Sequence, residues 1–219
     1  SPVKPSPLDP PHVPPAPTAD EDLRTKPAAQ IAFREAYYSG YGPAAAIQQV
    51  YGRNGQRYRD LYYRLHAEVD APIDRVRRAV TEGSAEAVLV RTSDHGDLLG
   101  AHGGLHQKWF NLYDEATRVP FTIARVGRNS TAPRVVEAPT SHVDLVPTLL
   151  GAADVDVEAV AESLRESFSE VHPLPGRNLM PVVDGADADD HRAVYLMTRD
   201  NILEGDSGAS GLGRQLKQT

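Results

Sequence analysis

Acidic, histidine and lysine side chains crowd into one short stretch of this sequence, residues 94–108. An acid, a histidine, a glycine and a second acid follow one another from Asp94 through His95 to Asp97. Carboxylate oxygen and imidazole nitrogen both bind divalent metals, so the Asp94–His95 pair predicts a metal site. Farther along, Lys108 adds a compact positive charge. A metal pair followed by a lysine indicates a site for an anionic ester.

The segments on either side of this stretch predict how it is held. The apolar run Ala87–Val90 indicates a short buried strand that ends just before Asp94, and Phe121–Val126 and Ala193–Thr198 indicate further strands. Ligands of α/β proteins gather at the carboxyl ends of the strands. Because strands alternate with helical segments, we expect an α/β fold with a mainly parallel sheet flanked by helices.

The longest helical pattern is Arg57–Glu82, where apolar residues recur at spacings of three and four. We expect this stripe to pack on the sheet, and Pro72 to kink or divide the helix. The stripe consists of Leu61, Leu65, Val69, Ile73, Val76 and Val80.

Four blocks of the sequence follow one another in a characteristic order: Tyr62–Gly83, Ser93–Pro120, Val143–Leu150 and Leu174–Leu179. The second block holds Ser-Asp-His-Gly-Asp, then Leu-Gly-x-His-Gly, then Lys108 and an Arg-Val-Pro. Together they resemble the sulfatases, which belong to the alkaline-phosphatase-like superfamily of sulfate, phosphate and phosphonate ester hydrolases. The resemblance covers most of residues 58–200 and implies a sulfatase-like fold.

The resemblance also implies roles for individual residues. Asp94 and His95 would hold a divalent metal ion, with calcium expected first and manganese or zinc as alternatives. Lys108 would bind the anionic oxygens of the ester and stabilise charge on the leaving group, and His106 would donate a proton to the substrate or leaving group. Asp97 and His102 are expected to support the metal ligands without binding the ion themselves.

Each of these residues also has a structural explanation. An aspartate at the end of a strand is typical of a turn cap, and a lysine beside Trp109 is a common surface arrangement. His102 and His106 are equally typical of loop histidines with satisfied hydrogen bonds. The sequence leaves these alternatives open.

The nucleophile of the family has no counterpart in this sequence. In sulfatases it is a formylglycine made from the first residue of a Cys/Ser-x-Pro-x-Arg motif, and this chain has no cysteine. In the nearest serine string, Ser130–Arg134, the proline stands one residue too late and the string follows the metal pair instead of preceding it. The acidic pair that supplies the other metal ligands is also missing. We therefore expect the later part of a sulfatase domain, inactive alone, whose natural partner is the missing N-terminal half.

Composition sets the remaining expectations. Residues 1–17 contain eight prolines, so residues 1–27 are expected to be a linker or loop. Residues 28–204 would form the partial catalytic domain and residues 205–219 a flexible tail. The formal charge of −7 argues against a nucleic-acid or anionic-membrane partner. The compartment stays open, with a lean toward the cytoplasm, and we expect the true N-terminus to precede Ser1.

Three functions are therefore compatible with the sequence. The first is a metal-dependent hydrolase of sulfate esters. The second is a phosphodiester or phosphonate hydrolase of the same superfamily, since both branches use an Asp-His metal pair. The third is a non-catalytic product of a split or degenerate gene.

Overall fold

The computed structural model describes residues 12–40, 55–83, 86–127, 132–189 and 191–198. The predicted tail, residues 205–219, lies outside the described residues, as do residues 1–11 of the proline-rich segment. The chain divides into two compact units. Unit 1 comprises Ser1–Arg75, Ser93–Pro120 and Leu196–Thr219, and unit 2 comprises Val76–Thr92 and Phe121–Tyr195.

Helices make up most of the regular structure in the described residues. None of the helices there has the length and apolar content needed to span a bilayer. The strands are β1 (Ala87–Thr92) and β2 (Phe121–Val126). The helices are α1 (Ala28–Gly40), α2 (Gly55–Glu82), α3 (Ala101–Gly104), α4 (Asp114–Thr117), α5 (Leu145–Ala152), α6 (Val157–Arg165) and α7 (Met180–Val183).

The pairing of β1 with β2 corrects the predicted fold class. The two strands run antiparallel, with Ala87 opposite Val126 and Thr92 opposite Phe121, and they form the whole sheet within the described residues. A parallel pair needs a crossover, which is usually a helix lying on the sheet. The segment between β1 and β2 contains only the four-residue helices α3 and α4. The prediction of a mainly parallel α/β sheet is therefore wrong, and residues 193–198 do not form the expected third strand.

Helix α2 confirms the predicted helix but not its predicted packing. It runs as one helix through Pro72, so the proline does not divide it. No residue of α2 is buried, and Leu65, Val69 and Val76 are 40%, 53% and 58% exposed. The expected burial of the apolar stripe is therefore wrong for the described residues.

The hydrophobic core of unit 1 includes residues of the 97–108 loop, which also carries several of the candidate site residues. It consists of side chains from the N-terminal segment, from α1 and from this loop, each at most 2% exposed: Leu23, Phe33, Leu98, Ala101 and Leu105. Because the loop contributes Leu98 and Leu105, its path is fixed by burial of apolar surface.

Unit 2 is organised around a buried carboxylate. Asp144 is fully buried, and Arg192 donates to both of its oxygens, at 2.6 and 2.7 Å. The backbone N–H groups of Ser141 and Arg177 donate to the same carboxylate at 2.9 and 2.8 Å. A buried charge needs such partners, so Asp144 ties the start of α5 to two later segments.

Two of the sequence blocks that carry the family resemblance contact each other within unit 2. A Cβ at Gly176 would lie 1.9 Å from the carbonyl oxygen of Val143, and a Cβ at Gly151 would lie 2.1 Å from Asn178 Nδ2. The buried Thr148 hydroxyl accepts the N–H of Leu179 at 2.9 Å. Glycine at these positions therefore lets the 143–151 and 174–179 segments approach closely.

Replacing Asp144 tests the stabilising role of this carboxylate. We expect Asp144→Asn to lower the free energy of unfolding by about 3 kcal/mol, because Arg192 then remains in the interior without its counter-charge. Urea unfolding measures the loss. Asp189→Asn is the matched control, since Asp189 and its partner Arg177 are about half exposed and we expect a loss under about 1 kcal/mol. Equal losses in the two variants would contradict this role.

The same carboxylate predicts a dependence of stability on pH. Burial alone raises the pKa of Asp144, but the Arg192 guanidinium and the backbone N–H groups of Arg177 and Ser141 outweigh it, so the pKa is lowered. The resulting stabilisation is present above the pKa of the unfolded chain, about 3.9, and is lost as the pH falls below it. Urea midpoints at pH 7, 5 and 3 should therefore fall more steeply in the wild type than in Asp144→Asn. Parallel curves would count against the assignment.

Candidate functional site

The predicted metal ligands lie side by side on the turn that follows β1. The Asp94 side chain is 84% exposed and that of His95 is 29% exposed. His95 Nε2 lies 3.5 Å from Asp94 Oδ2, and His95 Nδ1 lies 2.7 Å from the carbonyl oxygen of Gly96. When Nδ1–H donates to that carbonyl, the lone pair of Nε2 is left on the side of the carboxylate.

This geometry fits a divalent cation. Two ligands that share one metal at a right angle lie about 3–3.5 Å apart, given ordinary metal–oxygen and metal–nitrogen bond lengths. A hydrogen bond from the second ring nitrogen to a backbone carbonyl is the usual way to orient a histidine ligand. The described residues contain no cluster of three or more acidic or histidine side chains suited to a metal, so further ligands must come from elsewhere or from water.

The turn is held against α4 by a close backbone approach. Gly96 N–H donates to the carbonyl of Ala116 at 2.9 Å, and a Cβ at Gly96 would lie 1.9 Å from the carbonyl oxygen of Glu115. Only glycine permits this approach. Helix α4 therefore fixes the residue directly after the metal pair.

The loop that follows has an unusual concentration of left-handed backbone. Leu99, His102, Gln107 and Phe110 have positive φ angles although none is glycine. Each such residue costs about 1–2 kcal/mol relative to a right-handed conformation. Glycines with positive φ alternate with them at 100, 103 and 104. Strain of this kind clusters at functional sites.

Lys108 lies at the far end of this loop, next to the single tryptophan of the chain. Its Nζ is 5.8 Å from the centre of the Trp109 ring. The backbone N–H of His95 contributes most to lowering the pKa of Asp94, and the charge of Lys108 adds a smaller lowering. Lys108 is thus close enough to Asp94 to stabilise its charge.

His102 is enclosed by groups that hold it in the fold. Its Nδ1 lies 2.8 Å from Glu21 Oε2 and its Nε2 lies 3.2 Å from Glu115 Oε2, and the ring stacks on Tyr113 with centroids 3.6 Å apart. Lys26 pairs with the same Glu21 at 2.7 Å. His102 therefore links the N-terminal segment to α4, and support of the metal ligands stays a prediction.

His106 lies in the interior of unit 1. It is 6% exposed and meets Tyr58 of α2 edge to face, with centroids 4.9 Å apart. Burial is the main cause of the lowered pKa of His106. The charge of Asp97 raises this pKa, and the charge of Arg59 lowers it further. A neutral, enclosed imidazole of this kind packs the loop against α2, and its role at a substrate stays a prediction.

The sequence offered no signal for several partners of these residues. Glu21 is 81 positions from His102. Asp60 on α2 accepts the N–H of Val13 at 3.1 Å, across 47 positions. The first pair connects the N-terminal segment to the loop that carries His102 and the second connects it to α2, and no local pattern marks either.

Gly96→Ala tests the close approach beneath the turn that carries Asp94 and His95, here called the metal turn after its predicted role. Because the clash is with backbone, we expect a loss of about 2 kcal/mol in thermal unfolding. Gly55→Ala is the control, since its nearest neighbour is the flexible Arg59 side chain at 3.2 Å, and a change within about 0.5 kcal/mol is expected there. Wild-type stability of Gly96→Ala would show that the turn does not depend on α4.

Comparison with known proteins gives consistent matches. The profile of the sulfatase family matches residues 9–155, and so includes residues 9–57, upstream of the blocks recognised in the sequence. The chain is 33% identical over 165 residues to the uncharacterized sulfatase YidJ of Escherichia coli K12, covering 75% of this chain and 28% of that protein. It is 33% identical over 141 residues to the choline-sulfatase of Rhizobium meliloti strain 1021, covering 61% of this chain and 24% of the relative.

A third relative is the multifunctional alkaline phosphatase superfamily protein PehA of Trinickia caryophylli, 31% identical over 97 residues, which are 43% of this chain and 18% of PehA. The chain spans about a quarter of the length of the first two relatives, in agreement with the expectation of a partial sulfatase domain. The family profile covers well over half of the chain, and it includes the Asp94–His95 turn and Lys108. This chain belongs to the sulfatase family.

Proposed function

We propose that this chain supplies metal ligands and an anion-binding lysine to a hydrolase of sulfate esters. The observation that carries the proposal is the 3.5 Å separation of Asp94 Oδ2 and His95 Nε2, with the other ring nitrogen bound to the Gly96 carbonyl. Two metal-ligand atoms that face each other on an exposed turn are suited to a cation that solvent or substrate also coordinates.

The residues of this chain would divide the work as follows. A divalent ion, calcium first, would polarise the ester oxygens when bound. Asp94 and His95 would hold it and fix its position. Lys108 would bind an anionic oxygen of the ester and offset the negative charge that develops on the departing oxygen. A positive charge placed in advance lowers the barrier because it interacts more strongly with that developing charge than with the bound ester.

The nucleophile must come from outside this sequence, which holds no cysteine and no Ser-x-Pro-x-Arg string. We propose that the missing N-terminal half of a sulfatase domain supplies it, together with the remaining metal ligands. The substrate would be a sulfate ester of unassigned alcohol.

A phosphodiester or phosphonate substrate is the second candidate, favoured by the similarity to a relative named as multifunctional. An Asp-His metal pair and a lysine can bind either ester, because both carry negatively charged oxygens on a tetrahedral sulfur or phosphorus atom. Assaying both ester classes separates the candidates once the nucleophile is supplied.

Calcium titration tests the metal ligands. We expect weak, saturable binding to the chain that falls by tenfold or more in Asp94→Ala, because an ion that prefers about six to eight oxygens loses a charged ligand. Isothermal calorimetry measures it. Asp187→Ala removes an exposed aspartate of unit 2 and should leave the affinity unchanged. Equal affinity in Asp94→Ala and the wild type would refute the assigned ligands.

The isolated chain should not hydrolyse aryl sulfates or aryl phosphates above background in calcium, manganese or zinc. Covalent catalysis needs an activated nucleophile, and binding of an anion without attack lowers no barrier. The measurement is release of a chromogenic phenol by purified residues 1–219. Metal-dependent turnover that Asp94→Ala abolishes would show that these residues form a complete enzyme.

A further inference from the structure

The carboxylate of Asp97 lies between the metal turn and the lysine in sequence, and the backbone of the loop uses it. Its Oδ1 accepts the N–H of Leu99 at 2.8 Å and the N–H of Gln107 at 3.1 Å. The first bond closes a local turn, and the second crosses the loop. Gln107 directly precedes Lys108, so the carboxylate reaches the residue that leads the chain into the lysine.

Both residues that donate to Asp97 have left-handed backbone. The φ angle of Leu99 is 48° and that of Gln107 is 62°. Residues with a Cβ rarely adopt this conformation unless the surrounding structure holds them in it. If Gln107 relaxed to a negative φ, the following peptide would turn, and the Lys108 side chain would point elsewhere.

A second bond fixes Gln107 from the same side. Leu98 N–H donates to the Gln107 carbonyl at 3.1 Å, so residues 97 and 98 hold both polar groups of its backbone. Asp97 stands two positions after His95. Hydrogen bonds between residues 97–98 and Gln107 therefore join the segment that follows His95 to the segment that precedes Lys108.

We infer that Asp97 is a positioning residue for Lys108, which sets the direction of the lysine relative to Asp94 and His95 by accepting the Gln107 N–H. The inference rests on the proposed function, because it assigns Lys108 to the anion. It differs from the role implied by the resemblance, in which Asp97 supports the metal ligands.

Substitution by asparagine and by alanine separates positioning from charge. Both changes remove the negative charge of Asp97, which by itself favours binding of an anion nearby. Asparagine keeps Oδ1 as an acceptor, whereas alanine removes it. The probe is inorganic sulfate in the presence of calcium, followed by fluorescence of Trp109, the single tryptophan, whose ring lies next to Lys108.

We expect Asp97→Asn to bind sulfate as tightly as the wild type or more tightly, and Asp97→Ala to bind about tenfold more weakly than Asp97→Asn. Asp97→Ser covers the case in which the alanine variant fails to fold. Its shorter hydroxyl can accept the local Leu99 N–H but not the N–H across the loop, so binding should be weakened in the same way. Equal affinities of the asparagine and serine variants, or of asparagine and alanine, would overturn the inference.

A separate control distinguishes this inference from the proposed function. Lys108→Gln should abolish sulfate binding, and if the wild type itself binds no sulfate, the proposed function fails. Amide hydrogen exchange then tests whether Asp97 holds the Gln107 N–H. Faster exchange at Gln107 in Asp97→Ser than in Asp97→Asn supports it, and equal exchange overturns it.

Discussion

Closure of the loop from residue 97 to residue 108 is the constraint on which the candidate site depends. Leu98 and Leu105 enter the core of unit 1 and are 2% and 0% exposed. Gly100 N–H donates to the Leu105 carbonyl at 2.8 Å, which draws the two sides of the loop together. With the two sides of the loop drawn together, the charge of Lys108 acts on the carboxylate of Asp94.

Asp144 and Asp94 differ in burial and in hydrogen bonding, and these differences suit different roles. Asp144 is fully buried, and each of its oxygens is saturated by Arg192 and by backbone donors. Asp94 is 84% exposed, and its Oδ1 accepts one backbone bond while Oδ2 faces His95. A carboxylate whose lone pairs are all committed stabilises a fold, whereas one with lone pairs facing solvent can bind an ion. In this chain Asp144 is of the first kind, and the exposure of Asp94 fits the second.

Local patterns predicted α2 and the strands β1 and β2, but they wrongly predicted a third strand at residues 193–198 and a parallel arrangement. The bounds of α2 and β2 follow from apolar periodicity over a few residues, whereas the assignment of Asp94 and His95 as metal ligands comes from the family blocks and stays a prediction. The antiparallel pairing of Ala87 with Val126 depends on contacts between distant positions, which no local pattern encodes. The left-handed backbone of Leu99 and Gln107 could not be foreseen, because leucine and glutamine avoid that region. The Glu21–His102 bond is likewise a product of the folded chain.

Paramagnetic broadening by manganese tests whether Asp94 and His95 hold a metal within reach of Lys108. Substoichiometric Mn²⁺ should broaden the NMR signals of the His95 ring and the Lys108 side chain, and Asp94→Ala should remove the broadening at both residues. Broadening at His95 that persists in Asp94→Ala, or broadening at His95 with a sharp Lys108 signal, would contradict a site that joins the metal to the lysine.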